Sequence, residues 1–294
     1  MTVAQLVPDV RTLSDRLEAR DYFAAQGLAA ALFCAVRLPQ ALLLEGEAGV
    51  GKTQAAKSLA ATLGSPLIRL QCFEGITASQ ALYEWNYPRQ LLDIRLAESR
   101  GDSLDGHSLF SREYLFRRPL LQALEHPGPT PAVLLIDEVD RADEEFEAFL
   151  LEMLAEAAIT IPELGTIRAV VPPVVILTSN RTRDLHDALK RRCLYHWIDY
   201  PDVDLTTRIV RRRVPEAPPV LAGQIANAVQ RLRELDVQKP PGLAEAIDWA
   251  RAAQLLGISL LTAETTHQTL ASVLKYREDQ DVARDRGLAW IAGS

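Results

Sequence analysis

The chain is 294 residues long, enough for one large domain or two of ordinary size, either of which can bury a substantial core. Hydrophobic residues make up 48% and charged residues 24%, near the average for globular proteins. The 39 acids against 32 bases leave a net charge of -7, which argues against broad, sequence-independent nucleic-acid binding, because phosphate contacts need a surplus of Lys and Arg.

Residues 1–40 carry apolar side chains at helical spacing, notably Leu28, Ala31, Leu32 and Ala35, and predict one or two helices packed on a core. The run Ala41-Leu42-Leu43-Leu44, ending at Glu45 and Gly46, suits a buried parallel strand. Helix formers from Ala55 to Leu63 follow, then a second strand from Pro66 to Leu70. From Gln71 to Arg118 the pattern is broken by Gly75, Trp85, Pro88, Gly101 and Gly106, which predicts a helix carrying an insertion and a long loop. Ala132–Ile136 reads as a third strand, Glu144–Ala157 as an amphipathic helix and Val174–Ser179 as a fourth strand. Between the last two, Ala158–Ile161 and Ile167–Val170 flank Glu163-Leu164-Gly165-Thr166, a hairpin with Gly in its turn. Cys193–Tyr200 is the fifth strand. Past Pro201 the period becomes helical, over Leu221–Leu235, Leu243–Leu256 and Thr265–Tyr276, with prolines before the first two. Strands alternating with helices predict an α/β fold with a parallel sheet covered on both faces, in residues 1–203, followed by a helical domain over 204–294.

Gly46-Glu47-Ala48-Gly49-Val50-Gly51-Lys52-Thr53 fits G-x-x-x-x-G-K-[ST], after a predicted strand and before a predicted helix. Glycines let the backbone curl so that successive N–H groups face the phosphates of ATP. The helix N-terminus adds partial positive charge and Lys52 a mobile full one. Thr53 can place its hydroxyl on Mg²⁺. Val133–Ile136 delivers Asp137 and Glu138 to the carboxyl edge of the sheet, where Asp137 would hold Mg²⁺ through water and Glu138 would orient and deprotonate the attacking water. Alone, such acids are ordinary solvated strand ends; the upstream loop gives them meaning. Asn180, ending the fourth strand, is either a turn residue or an amide reaching toward that water. Lys190-Arg191-Arg192 either complements a helix C-terminus or supplies an arginine to the γ-phosphate of a neighbouring subunit.

Cys34, Cys72 and Cys193 stand far apart with no His at metal-ligand spacing beside them, which argues against structural zinc or a disulfide framework. His107, His126, His186, His196 and His267 are scattered and read as structural or surface residues. The first twenty residues lack a basic start followed by an apolar run, and about 18 uninterrupted apolar residues occur nowhere, so a soluble, cytoplasmic protein with no membrane span is expected. Trp85, Trp197, Trp249 and Trp290 read as core or interface anchors, with Trp85, inside the insertion, the one to test for client contact. Arg208, Arg211, Arg212 and Arg213 cluster after the fifth strand, as a solvated face or a local basic patch.

The loop, Asp137-Glu138, Asn180 and the Arg pair occur in the order found in AAA+ ATPases, and the helical tail stands where their lid belongs. Within that superfamily the chain resembles MoxR-type ATPases, on Arg69–Gly75, Tyr83–Leu92 and Asp137-Glu138-Val139-Asp140-Arg141-Ala142. Ala188–Pro201 with Pro240–Glu245 is similar to the subgroup accompanying molybdenum hydroxylases such as aerobic carbon monoxide dehydrogenase. The resemblance implies a homohexameric ring with ATP at subunit interfaces and a five-stranded parallel sheet. It also implies an insertion near Ala78–Tyr87 and a projecting hairpin near Ala158–Val171. The function implied is that of a remodelling chaperone, working with a von Willebrand factor A-domain partner to mature a client metalloenzyme. A nucleic-acid motor and a small-molecule P-loop kinase are the competing classes. One departure stands out: many such lids carry an Arg on the first turn of a helix, where this chain has Gly242-Leu243-Ala244-Glu245 and no Arg until Arg251.

Overall fold

A computed structural model describes residues 3–100 and 109–293, so Gly101, Gly106 and His107 lie outside the described residues. In chain order the elements begin with α1 (Val3–Leu6), α2 (Val10–Glu18), α3 (Gln26–Arg37), β1 (Ala41–Gly46), α4 (Lys52–Leu63) and β2 (Leu67–Gln71). The broken stretch contains α5 (Ala78–Ala81), β3 (Tyr83–Trp85), α6 (Tyr87–Arg100), β4 (Leu115–Arg117) and α7 (Pro119–Leu124). Then come β5 (Val133–Asp137), α8 (Glu144–Glu156), β6 (Ala158–Ile161), β7 (Gly165–Arg168), β8 (Val174–Ser179), α9 (Asp187–Lys190) and β9 (Cys193–Ile198). The tail is helical: α10 (Val203–Arg213), α11 (Pro219–Arg233), α12 (Leu243–Leu255), α13 (Ala263–Val273), α14 (Arg277–Arg286) and α15 (Leu288–Ala292). No described helix is long and apolar enough to cross a membrane.

The chain divides into two compact units that are not contiguous in sequence. One holds Met1–Arg16, Ala25–Glu45 and Ala55–His196; the other holds Leu17–Ala24, Gly46–Gln54 and Trp197–Ser294. The first is built on a five-stranded parallel sheet in the order β2-β5-β8-β1-β9. Its strands are near-continuous apolar runs because both faces are covered: every residue of β1, β5 and β8 is buried. The register pairs Ile136 with Leu177, so Asp137, the last residue of β5, comes level with Thr178, the last but one of β8.

The insertion carries a small two-stranded sheet of its own. β3 and β4 pair antiparallel, Tyr83 opposite Arg117 and Trp85 opposite Leu115, and α6 lies between them in sequence. Trp85 is buried, with Tyr83 and Phe110 rings set edge-on against it at 5.9 and 5.2 Å. It therefore packs as a core anchor, in the same apolar cluster as Leu43, Leu134 and Ile136. The hairpin register also differs from the sequence reading. β7 starts at Gly165, opposite Ile161, so Pro162-Glu163-Leu164 makes the turn, and Ala169 and Val170 fall beyond the strand. Gly165 has φ 76°, a left-handed backbone that lets the second strand begin two residues early.

In the second unit the core gathers around Trp249, fully buried, whose indole N–H donates to Thr269 Oγ1 at 2.7 Å. The polar handle is thus satisfied within an apolar cluster drawn from α10 to α15. Sequence periodicity alone did not separate α10, α14 and α15 from the surrounding loops. Two of the four clustered arginines are committed locally: Arg208 pairs with Glu18 at 2.9 Å and stacks on Phe23, and Arg212 pairs with Asp21.

Candidate functional site

The loop after β1 has the backbone its glycines foretell. Gly46 takes φ 153°, and a Cβ there would stand 2.3 Å from the carbonyl oxygen of Ile198, so no other residue fits. Gly49 takes φ 80°, and its Cβ would meet Gly242 Cα at 3.3 Å and Glu245 Oε2 at 3.2 Å. This approach is sealed by a hydrogen bond from the Leu243 N–H, in the first turn of α12, to Gly49 O at 3.1 Å. Glu245 accepts from the Gly242 N–H at 2.9 Å and so caps the same turn. Lys52 opens α4 and is 7% exposed; its ammonium donates to Gly46 O and Glu47 O, both at 2.7 Å. The positive charge is thereby held over the loop's own carbonyls, in the cup the backbone encloses. Tyr22 reaches Gly51 O with its hydroxyl at 3.5 Å, and burial pushes that phenol above its usual range. Beside Glu47 and Glu245, Tyr200 carries the Arg233 guanidinium 4.1 Å from its ring centre, while Arg233 donates to Pro241 O at 2.8 Å. Neither residue was marked by a motif.

In the sheet unit, Asp137 is 2% exposed at the end of β5. Arg69, from β2, donates to its Oδ2 twice, from Nε at 3.0 Å and from Nη2 at 2.6 Å, and the Thr178 hydroxyl donates to Oδ1. Thr178 Oγ1 in turn accepts the N–H of Glu138 at 2.9 Å. Glu138 has φ 56° and ψ 49°, a left-handed conformation that costs a non-glycine residue about 1–2 kcal/mol. Such a position persists where its surroundings over-determine it, and these cluster at working sites. Its carboxylate lies 3.1 Å from Arg141 Nη1. Asn180 follows β8 and is half-buried, its N–H donating to Asp140 Oδ2 at 3.2 Å. The structure thus gathers Asp137, Glu138 and Asn180 at the carboxyl ends of two adjacent strands. Arg191 and Arg192 follow α9 directly and are both exposed.

The Asp137 carboxylate and, in the other unit, the Thr53 hydroxyl are each hard oxygen donors of the kind that Mg²⁺ takes beside phosphates and water. Arg69 and Thr178 already engage both oxygens of Asp137, which favours a water-mediated hold on the ion. No cluster of three or more His, Cys, Asp or Glu able to hold a metal unaided occurs among the described residues.

The profile of the AAA domain, dynein-related subfamily, matches residues 41–193. The chain belongs to that family. The match runs from the first residue of β1 to the first of β9, and the AAA domain thus takes in the Gly46–Thr53 loop, Asp137, Glu138, Asn180 and the arginine pair. An uncharacterized protein of Staphylococcus saprophyticus is 22% identical over 210 residues, covering 69% of this chain and 72% of its own. The RuvB Holliday junction branch migration motor of Thermotoga maritima overlays 87% of this chain and 68% of its own length at 15% identity, with a TM-score of 0.48. A mutant of the Thermotoga maritima RuvB overlays 83% of this chain and 66% of its own at 17% identity and a TM-score of 0.50. At this identity the likeness speaks for the fold alone.

Two cysteines are chemically muted in this AAA domain. Burial pushes the Cys72 thiol up to about 12 from 9.0, with Asp137, Asp140 and Glu138 adding to the effect, and burial alone does the same to Cys193. A thiol whose native pKa is raised contributes stability that is whole below the unfolded pKa and drains away as pH climbs. The urea midpoint is therefore expected to hold up to about pH 9 and fall toward pH 12. The double variant Cys72→Ala, Cys193→Ala should flatten that fall, and native protein at pH 8 should leave Cys72 unlabelled by maleimide.

Proposed function

We propose that this AAA+ ATPase hydrolyses ATP with Mg²⁺ at sites shared between subunits of a homohexameric ring, and uses the cycle to remodel a client protein. Residues 1–203 form its nucleotide-binding domain and 204–294 its lid. The observation that carries the reading is the Gly46–Thr53 loop, with its positive-φ glycines and its buried Lys52 ammonium. In this reading the triphosphate takes over the ammonium from the Gly46 and Glu47 carbonyls, and the loop's N–H groups hold the β- and γ-phosphates. Thr53 and Asp137 hold Mg²⁺, which neutralises charge developing on the phosphates. Glu138 takes the proton of the attacking water, Asn180 orients that water, and Arg191 or Arg192 of one subunit reaches the γ-phosphate bound by its neighbour.

The client side rests on the resemblance to MoxR-type proteins: a von Willebrand factor A-domain partner and a metalloenzyme of the molybdenum hydroxylase kind. The insertion around α6 and the β6–β7 hairpin are the parts suited to touch them. The local pairing of Arg208 and Arg212 and the charge of -7 weigh against a DNA motor.

The test is ATP turnover measured alongside particle mass by light scattering, in ATP and Mg²⁺. Steady ADP release without any acceptor, from a particle several times the 32.5 kDa chain, is expected. ADP that appears only when a small acceptor is added would mark a kinase instead. Stimulation by DNA that vanishes with salt would mark a nucleic-acid motor.

A further inference from the structure

Two buried carboxylates outside the expected constellation tie the segment after β5 to the loop after β8. Asp140, 2% exposed, accepts at Oδ2 from the Thr182 hydroxyl at 2.7 Å, from the Thr182 N–H at 2.8 Å and from the Asn180 N–H at 3.2 Å. Its Oδ1 is buried with no hydrogen-bond partner, so the carboxylate is held from the loop side only. Glu147, 1% exposed on α8, accepts from the His186 N–H at 2.8 Å and from the Arg183 guanidinium, which also donates to Ala142 O at 3.0 Å. His186 is the N-cap of α9, and Arg191 and Arg192 follow that helix after a single turn. A turn so short has little rigidity of its own; its direction is set where it is anchored, at Leu185 and Leu189 in the core and at Glu147.

We infer that Asp140 and Glu147 are positioning residues with separate clients: Asp140 fixes Asn180 relative to Glu138 for the chain's own nucleotide, and Glu147 aims the arginine pair at the neighbour's. The inference rests on the shared-site reading above. The two acids sit seven positions apart on one segment, and each grips a different end of the same loop. The buried Asp140 oxygen without a hydrogen-bond partner calls for a role beyond the loop tie itself.

The division of labour makes it testable by mixing subunits. Asp140→Asn should lower kcat about tenfold or more while KM stays within about twofold, since no phosphate contact is lost. Thr182→Val, which removes one donor without touching charge, should shift the same parameter in the same direction. Glu147→Gln and Arg183→Gln should also lower turnover, each alone. Each variant is then mixed with an excess of Lys52→Ala subunits, which retain their arginines but not their cradle. Glu147→Gln and Arg183→Gln should regain hydrolysis, because a neighbour now supplies correctly aimed arginines. Asp140→Asn and Thr182→Val should not, because their own sites remain misaligned. Rescue of all four, rescue of none, or loss of ATP-analogue binding in the Asp140 and Thr182 variants would overturn the assignment. Wild-type protein that turns over no ATP would instead remove the underlying reading, and is measured first.

Discussion

Glu138→Gln is expected to abolish ATP hydrolysis, by about 10²–10⁴-fold, while leaving ATP bound. The substitution keeps side-chain length and the backbone N–H that Thr178 accepts, so the left-handed turn after β5 survives. In the proposed mechanism, what it loses is the carboxylate that takes a proton from the attacking water. The phosphate contacts proposed above belong to the Gly46–Thr53 loop, so ATP affinity should change little. Single-turnover hydrolysis read beside equilibrium binding of a fluorescent ATP analogue separates the two. A variant that still hydrolyses within about tenfold of wild type would mean that Glu138 is not the base. In the ATP-bound state the variant should also accumulate as the largest particle, since turnover no longer releases it.

Lys52→Ala carries the second large effect and reaches beyond one subunit. Truncating one member of a buried, hydrogen-bonded charge contact costs about 2–5 kcal/mol, which is about 30-fold to several thousand-fold in affinity. Such a chain keeps its arginines, and a chain with Arg191→Ala and Arg192→Ala keeps its cradle. Mixed in equal amounts and allowed to exchange, the two silent proteins should recover hydrolysis at about one interface in four, the fraction at which an intact cradle meets an intact arginine pair in a head-to-tail ring. Single Arg variants in the same assay identify which arginine acts. No recovery under proven exchange would place every catalytic group within one chain.

How much of this could be read in advance depends on how local the physics is. The backbone of Gly46–Thr53 was legible because a tightly curled loop needs glycine at fixed offsets, and φ is 153°, 80° and 100° at Gly46, Gly49 and Gly51. The buried strands were legible as unbroken apolar runs, to within a residue or two at their ends. Asp140 and Glu147 were not, since an acid in a sequence looks the same whether it is solvated or pinned under a loop 40 residues away. Arg69 escaped for the same reason: its partner Asp137 is 68 positions distant. The hairpin slipped because Gly165 was taken as turn rather than as the left-handed first residue of β7. Trp85 could be read as a core or interface anchor, but its edge-on partner Phe110, 25 positions away, could not. The discontinuous second unit, which recruits Leu17–Ala24 and Gly46–Gln54, has no signature along the chain at all.

The contact between Gly49 and the first turn of α12 ties that helix to the Gly46–Thr53 loop through a backbone hydrogen bond. A trans peptide is a rigid plane, with its C=O and N–H pointing in opposite directions. The Gly49 carbonyl held by Leu243 is the other face of the Val50 N–H, and that peptide is not among the cis bonds. Were α12 to shift, one carbonyl would be released and a single amide plane would be free to turn, so the displacement of a whole helix would be read as the rotation of one donor, the Val50 N–H.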